Sequence, residues 1–173
     1  WMAQLVNDML YLAKAHHGLL TPRREPLDLA HELESLLEFY VLSAEDSQIA
    51  LTCEGNARIA GDRSMLRRAL SNLLDNALRY TPAGGTIKLL ISETATWARI
   101  SLTNTGAGIA PELLPRLFDR FYRADPARSE GSSVHAGLGL AITQSIIRAH
   151  GGQIRCESQE NWTQFVIESP RNT

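Results

Sequence analysis

Near the start of the chain, apolar residues fall at Met2, Leu5, Met9 and Leu12. This three-four-three spacing predicts one seam of a helix packed into a bundle or coiled coil. A helix needs about 12–15 residues even to be marginal in water, so this one is expected to require a partner helix that the chain does not supply. Gly18 ends the pattern, and residues 19–26, with Pro22, Pro26 and two arginines, read as a linker. From residue 27 to 173 helical and strand patterns follow one another as a separate domain. Helical periodicity runs over 30–45 through Ala30, Leu33, Leu36, Leu37, Tyr40 and Val41, and residues 49–53 read as a short strand. Asp62 is a good N-cap for a helix reaching about Tyr80, where Thr81, Pro82, Gly84 and Gly85 stop it. Strands are expected over 86–92 and 97–104, a short helix near Pro111, a helix over 138–150 closed by Gly151 and Gly152, and strands over 153–157 and 162–167. Strands beside strands without regular βαβ alternation predict an α+β fold, a two-layer α/β sandwich.

Composition narrows the classes. Hydrophobic residues make up 44% and charged residues 21% of the 173, too apolar for disorder, and no unbroken apolar run of about 18 residues could span a bilayer. With 17 basic and 19 acidic residues, the chain lacks the basic excess that nonspecific nucleic-acid binding wants. Cys53 and Cys156 lie far apart and form no C-x-x-C unit, so they read as free thiols on buried strands. Trp1 precedes Met2 inside an amphipathic pattern, and the chain reads as a piece of something longer.

Chemistry concentrates on the helix from Asp62. Leu66, Leu70, Leu73, Leu74 and Ala77 form a core-facing stripe, and Asn72, Asn76 and Arg79 form a second stripe roughly 135° around the axis. A carboxamide oxygen is a hard neutral ligand suited to Mg²⁺, which takes few protein ligands and completes its shell with water and phosphate oxygens. Two glycine clusters accompany it. Asn104 to Ile109 follows a strand, with Gly106 and Gly108 permitting close backbone approach to a ligand. Gly137, Leu138, Gly139 and Leu140 open a helix whose free N–H groups favour phosphate. Neither cluster fits a dinucleotide fingerprint or a P-loop.

Taken together, these segments resemble the sensor histidine kinases. Residues 70–81 resemble their N box, 104–108 the first glycine box, 117–123 (Leu117, Phe118, Asp119, Arg120, Phe121, Tyr122, Arg123) the F box, and 137–142 the second glycine box. The runs 65–69 and 115–118 look most like the heavy-metal branch, especially copper and silver sensors. The resemblance implies the Bergerat ATP-binding fold of the GHKL superfamily, a mixed sheet packed on three main helices, with a lid at about 123–136. It makes residues 1–18 the second helix of a dimerisation and phosphoacceptor bundle. It implies ATP and Mg²⁺ as ligands, Mg²⁺ on Asn76 with Asn72 as a second candidate, and catalytic roles for Asn72, Asn76 and Arg79. Tyr80, Asn104, Gly106, Gly108, Ile109, Phe118, Phe121, Arg123, Gly137, Leu138, Gly139 and Leu140 complete the expected ATP site. Partners implied are the chain's own bundle, a homodimer in the full-length protein and a response regulator, with a cytoplasmic domain in a protein of the bacterial inner membrane.

The related ATPases place a glutamate one turn before the metal-binding asparagine, whereas here that position is Asn72. A carboxamide is no general base, so hydrolysis is expected to be weak and the γ-phosphoryl kept for a histidine. His31-Glu32-Leu33 imitates the acceptor motif but lacks its Arg-x-Pro continuation, and reads as helix surface. His150 reads as a last-turn residue favoured by the helix dipole. Two departures from the family are Asn104 in place of the usual aspartate and His135-Ala136 ahead of Gly137. The rival readings are a stand-alone ATPase of the same fold and a non-catalytic nucleotide-gated interaction module.

Overall fold

The structure, a computed structural model, describes residues 2–123 and 137–172. Five strands form the main sheet: β2 (Ala50–Gly55), β4 (Thr86–Glu93), β5 (Trp97–Thr105), β7 (Trp162–Pro170) and β6 (Gln153–Gln159), in the order β2-β4-β5-β7-β6. β2 pairs with β4 in parallel and every other pair is antiparallel. This is the mixed sheet of a two-layer sandwich. Its inner face is built by alternation: Ile87, Leu89 and Ile91 of β4, Ala98, Ile100 and Leu102 of β5, and Phe165 and Ile167 of β7 are all buried. Against them pack α2 (Leu29–Leu37), α4 (Arg63–Tyr80) and α5 (Gly139–Ala149).

Local signals place these helices well. Asp62 accepts the Met65 N–H at 3.0 Å and caps α4, and Asp28 accepts the His31 N–H at 3.1 Å and caps α2. The buried stripe of α4 is Leu66, Ala69, Leu70, Leu73, Leu74 and Ala77.

Several expectations need correction. The helix predicted over 30–45 is two, α2 and α3 (Val41–Asp46), separated by turns at 38–40. Two strands escaped prediction, β1 (Glu25–Asp28) and β3 (Arg58–Gly61), which form a separate antiparallel pair. The linker expected over 19–26 therefore runs into β1. Around Pro111 there are turns and a 3₁₀ segment, Leu114–Arg116, instead of a helix.

The first helix, α1 (Met2–His16), also departs from expectation. Only Leu5 and Leu12 of its predicted seam turn inward, Leu12 being buried in the domain core beside α5. Met2 and Met9 stay exposed with Val6 and Leu10. Asp8 holds Arg68 of α4 at 2.6 Å, and the guanidinium lies 4.3 Å above the Tyr11 ring. Among the described residues no helix is long and apolar enough to cross a membrane.

Candidate functional site

At one end of the sandwich α4 and α5 leave a gap above the sheet, a cavity of about 420 Å³, within the range of small-molecule and cofactor sites. α4 supplies one wall through Asn72, Asp75, Asn76, Arg79 and Tyr80. Gly137, Gly139 and Leu140, at the start of α5, form the facing wall. Asn104, Thr163 and Phe165 of the sheet make the floor, and Gly108, Ile109, Leu113, Leu117, Tyr122 and Arg123 lie along the rim.

The two walls are tied together. Asn72 Nδ2 donates to the Gly139 carbonyl at 3.1 Å, and the Thr143 hydroxyl donates to the same carbonyl at 2.8 Å. Asn72 thus directs its amide nitrogen at the other wall, and its oxygen takes part in no hydrogen bond among the described residues. Among the described residues Asn76 and Arg79 make no side-chain hydrogen bond. Asp75, which sequence reasoning passed over, accepts the Tyr40 hydroxyl at 3.0 Å. Burial pushes the Tyr40 phenol up to about 12, so it remains a donor that occupies one oxygen of the carboxylate.

The first glycine loop is stitched to the β6–β7 turn. Gly106 N–H donates to Asn161 O and Gly108 N–H to Glu160 O, both at 3.1 Å. A Cβ on Gly108 would overlap the Gln159 carbonyl, and one on Gly106, whose φ is +143°, would lie 2.8 Å from Tyr80 O. Both glycines serve close approach to the chain's own backbone, at Gln159 and Tyr80, where the pattern suggested approach to a ligand.

Of the expected residues, Gly106, Leu138, Phe118 and Phe121 do not line the cavity. Gly106 acts through its backbone, and Leu138 is buried beneath the start of α5. Phe118 packs edge-on against Phe165, centroids 6.3 Å apart, and so supports the floor from behind. Phe121 is half exposed, with a φ of +64°, and its N–H donates to Gly137 O at 3.1 Å. That bond clasps the two stems bordering residues 124–136. The lid expected over 123–136, apart from Arg123, lies outside the described residues, and His135 and Ala136 with it.

Thr163 and Phe165 were missed. They sit in a strand that reads as ordinary core, yet Thr163 is a polar residue in phase with Phe165 and Ile167, which was the available sign. Asn104 stands opposite Thr163 in the ladder, buried, its Nδ2 donating to Thr105 O at 3.2 Å.

The histidines fall elsewhere. His31 is exposed in the first turn of α2, while neighbouring Glu32 is buried and held by Arg63 at 2.9 Å. His150 stands at the C-terminal end of α5, as expected, and is buried there: its Nδ1 bonds Ile146 O at 2.8 Å and its Nε2 accepts the Asp62 N–H at 3.0 Å. With Nδ1 as the protonated nitrogen the ring is neutral, and burial lowers its basicity below the usual imidazole value. Cys53 and Cys156 are free and half-buried, their thiols raised by burial, Cys156 to about 12.

Residues 61–173 match the family described as histidine kinase-, DNA gyrase B-, and HSP90-like ATPases. The sensor histidine kinase CusS of Escherichia coli (strain K12) is 47% identical over 98% of this chain and 35% of its own length. The chain thus spans about a third of the curated relatives it matches. Among solved structures, the histidine kinase AdeS of Acinetobacter baumannii superposes with a TM-score of 0.82 at 25% identity, over 99% of this chain and 79% of that one. Full-length ShkA, solved in complex with AMPPNP, superposes with a TM-score of 0.85 at 29% identity, over 98% of this chain and 35% of that one.

Proposed function

Because the chain belongs to the family of histidine kinase-, DNA gyrase B-, and HSP90-like ATPases, we propose that its cavity binds Mg·ATP and presents the γ-phosphoryl to a histidine on a dimerisation bundle. The observation that carries this reading is the facing of two walls. Asn72, Asn76 and Arg79 of α4 look across the cavity at the glycine-opened start of α5, above a floor that ends in Asn104 and Thr163.

The donors fit the ligand. The N-terminus of α5 offers backbone N–H groups to phosphate, and Arg79 supplies a guanidinium beside them. The oxygens of Asn76, Asn72 and Asp75 form an all-oxygen set suited to Mg²⁺, with Asn76 its principal ligand. Bound there, Mg²⁺ would neutralise charge on the transferring phosphoryl group. Asn104 turns its oxygen to the adenine amine. No general base stands one turn before Asn76, where Asn72 cannot accept a proton, and Asp75 has one oxygen held by the Tyr40 hydroxyl and the other assigned to Mg²⁺. Water is therefore poorly activated, and the phosphoryl group is preserved for a histidine and then a response-regulator aspartate.

The resemblance of residues 65–69 and 115–118 to copper and silver sensors, together with 47% identity to CusS, supports a heavy-metal response in a dimeric kinase of the inner membrane. α1 belongs in this reading to the bundle's second helix.

Mixing the protein with γ-labelled ATP and a bundle fragment bearing the acceptor histidine tests the proposal. Labelled bundle supports the kinase, release of free phosphate alone supports an ATPase, and neither outcome leaves a nucleotide-gated interaction module.

A further inference from the structure

The polar floor of the cavity extends one strand beyond its lining. In the antiparallel register Asn104 of β5 faces Thr163 of β7, and Thr163 faces Ser158 of β6. Residues directly opposite share a face of the sheet, so these side chains form one polar row. The next rows inward are apolar: Leu102 faces Phe165, and Ile100 faces Ile167.

Ser158 makes three contacts. Its Oγ lies 2.8 Å from the Ile109 N–H, 3.0 Å from the Trp162 carbonyl and 2.9 Å from the Thr163 hydroxyl. A hydroxyl has one proton to give and two lone pairs to receive. The Trp162 carbonyl can only accept, so it takes the Ser158 proton. The Ile109 N–H can only donate, so it takes one lone pair. The remaining lone pair is left for Thr163, which must donate to Ser158. Its proton is then turned away from the cavity, and Thr163 Oγ1 presents only lone pairs there. Asn104, donating through Nδ2 to Thr105 O, likewise offers its oxygen. Two acceptors side by side suit an exocyclic amino group and oppose a carbonyl oxygen.

We infer that Ser158 is a positioning residue for base selectivity. By claiming the Thr163 proton it fixes the floor as an acceptor pair that favours a 6-aminopurine over a 6-oxopurine, and through Ile109 it holds the first glycine loop above that floor. The inference rests on the adenine-nucleotide reading of the cavity. A site whose buried polar groups are matched to one partner discriminates strongly against an analogue that leaves them unpaired.

The test is the ratio of dissociation constants for ADP and inosine 5′-diphosphate, measured by calorimetry on the unmutated protein, Ser158→Ala, Ser158→Thr and Thr163→Val. The unmutated protein is expected to favour ADP by on the order of tenfold or more, the value of one well-made hydrogen bond. Ser158→Ala frees the Thr163 hydroxyl to turn and donate to the 6-oxo group, so the preference should shrink several-fold, and Ser158→Thr, which keeps the oxygen, should restore it. Thr163→Val should also narrow the ratio, and adding Ser158→Ala to it should change the ratio no further. If Ser158→Ala weakens both nucleotides equally, Ser158 is merely structural and the inference falls while the adenine reading stands. If Ser158→Ala leaves both affinities unchanged, the inference falls as well. If the unmutated, folded protein binds neither nucleotide, the reading of the cavity falls and takes the inference with it.

Discussion

Asn72 Nδ2 donates to the backbone carbonyl of Gly139 across 3.1 Å, and this bond joins the helix that carries the carboxamides to the helix that opens on glycines. Asn72→Ala should cost about 1 kcal/mol of stability, the usual net value of a hydrogen bond, and should also weaken nucleotide binding because the two walls are no longer held at a fixed spacing. Calorimetric unfolding with and without ADP checks both parts. Asn72→Glu carries a different expectation. A carboxylate cannot donate to the Gly139 carbonyl, so any gain in hydrolysis from a new general base comes with a lower Tm, and an unchanged hydrolysis rate in a folded variant counts against the base argument.

Asn76 stands on the same wall with its side chain unengaged among the described residues. In Asn76→Ala the affinity for ADP should become the same with and without Mg²⁺, whereas the unmutated protein should bind more tightly when Mg²⁺ is present. Persistence of the Mg²⁺ effect in the variant would remove Asn76 from the metal site.

Buried His150 ties the end of α5 to Asp62, the cap of α4, and makes stability depend on pH. Its folded basicity lies below the ordinary value of 6.5, mainly through burial. Between that lower value and 6.5 the unfolded chain binds more protons than the folded one. The stabilisation is therefore complete above about pH 6.5 and is lost as the pH falls from there toward the folded value. His150→Gln keeps an acceptor for the Asp62 N–H but does not titrate. A Tm profile between about pH 7 and 5 should be flatter for this variant, and an equally steep profile would assign the slope to other groups.

Gly108 touches the Gln159 carbonyl so closely that no Cβ fits. Gly108→Ala should destabilise the domain by about 1–3 kcal/mol through overpacking and lift the glycine loop from the rim of the cavity. Chemical denaturation and ADP titration should both report it.

Legibility from sequence follows the length of each pattern. The α4 helix was readable because a cap, a buried stripe and a glycine stop agree over eighteen residues. The pair β1 and β3 was not, since each strand has only four residues. Four residues show no period, and their partners lie thirty or more positions apart in the chain. The turns at 38–40 broke a helical pattern that has no glycine or proline to announce the break. At the site, Asn72, Asn76, Arg79 and the glycines could be named because their joint spacing along the chain resembles a family pattern, while Asp75, outside that stripe, was passed over. Ser158 could not be named, because a polar residue on an edge strand looks solvated until the register shows which face it shares, whereas Thr163 lies in phase with Phe165 and Ile167. Asn104 lies in phase with Ala98, Ile100 and Leu102, so its inward orientation was readable from alternation alone.

The turn at Glu160 and Asn161 closes the β6–β7 hairpin and also lends its carbonyls to Gly106 and Gly108. Hairpin tips are ordinarily where a chain tolerates insertions, tags and drift in length. Here a single added residue would carry away the anchor points of the first glycine loop, so this tip is a poor site for engineering and its length is constrained.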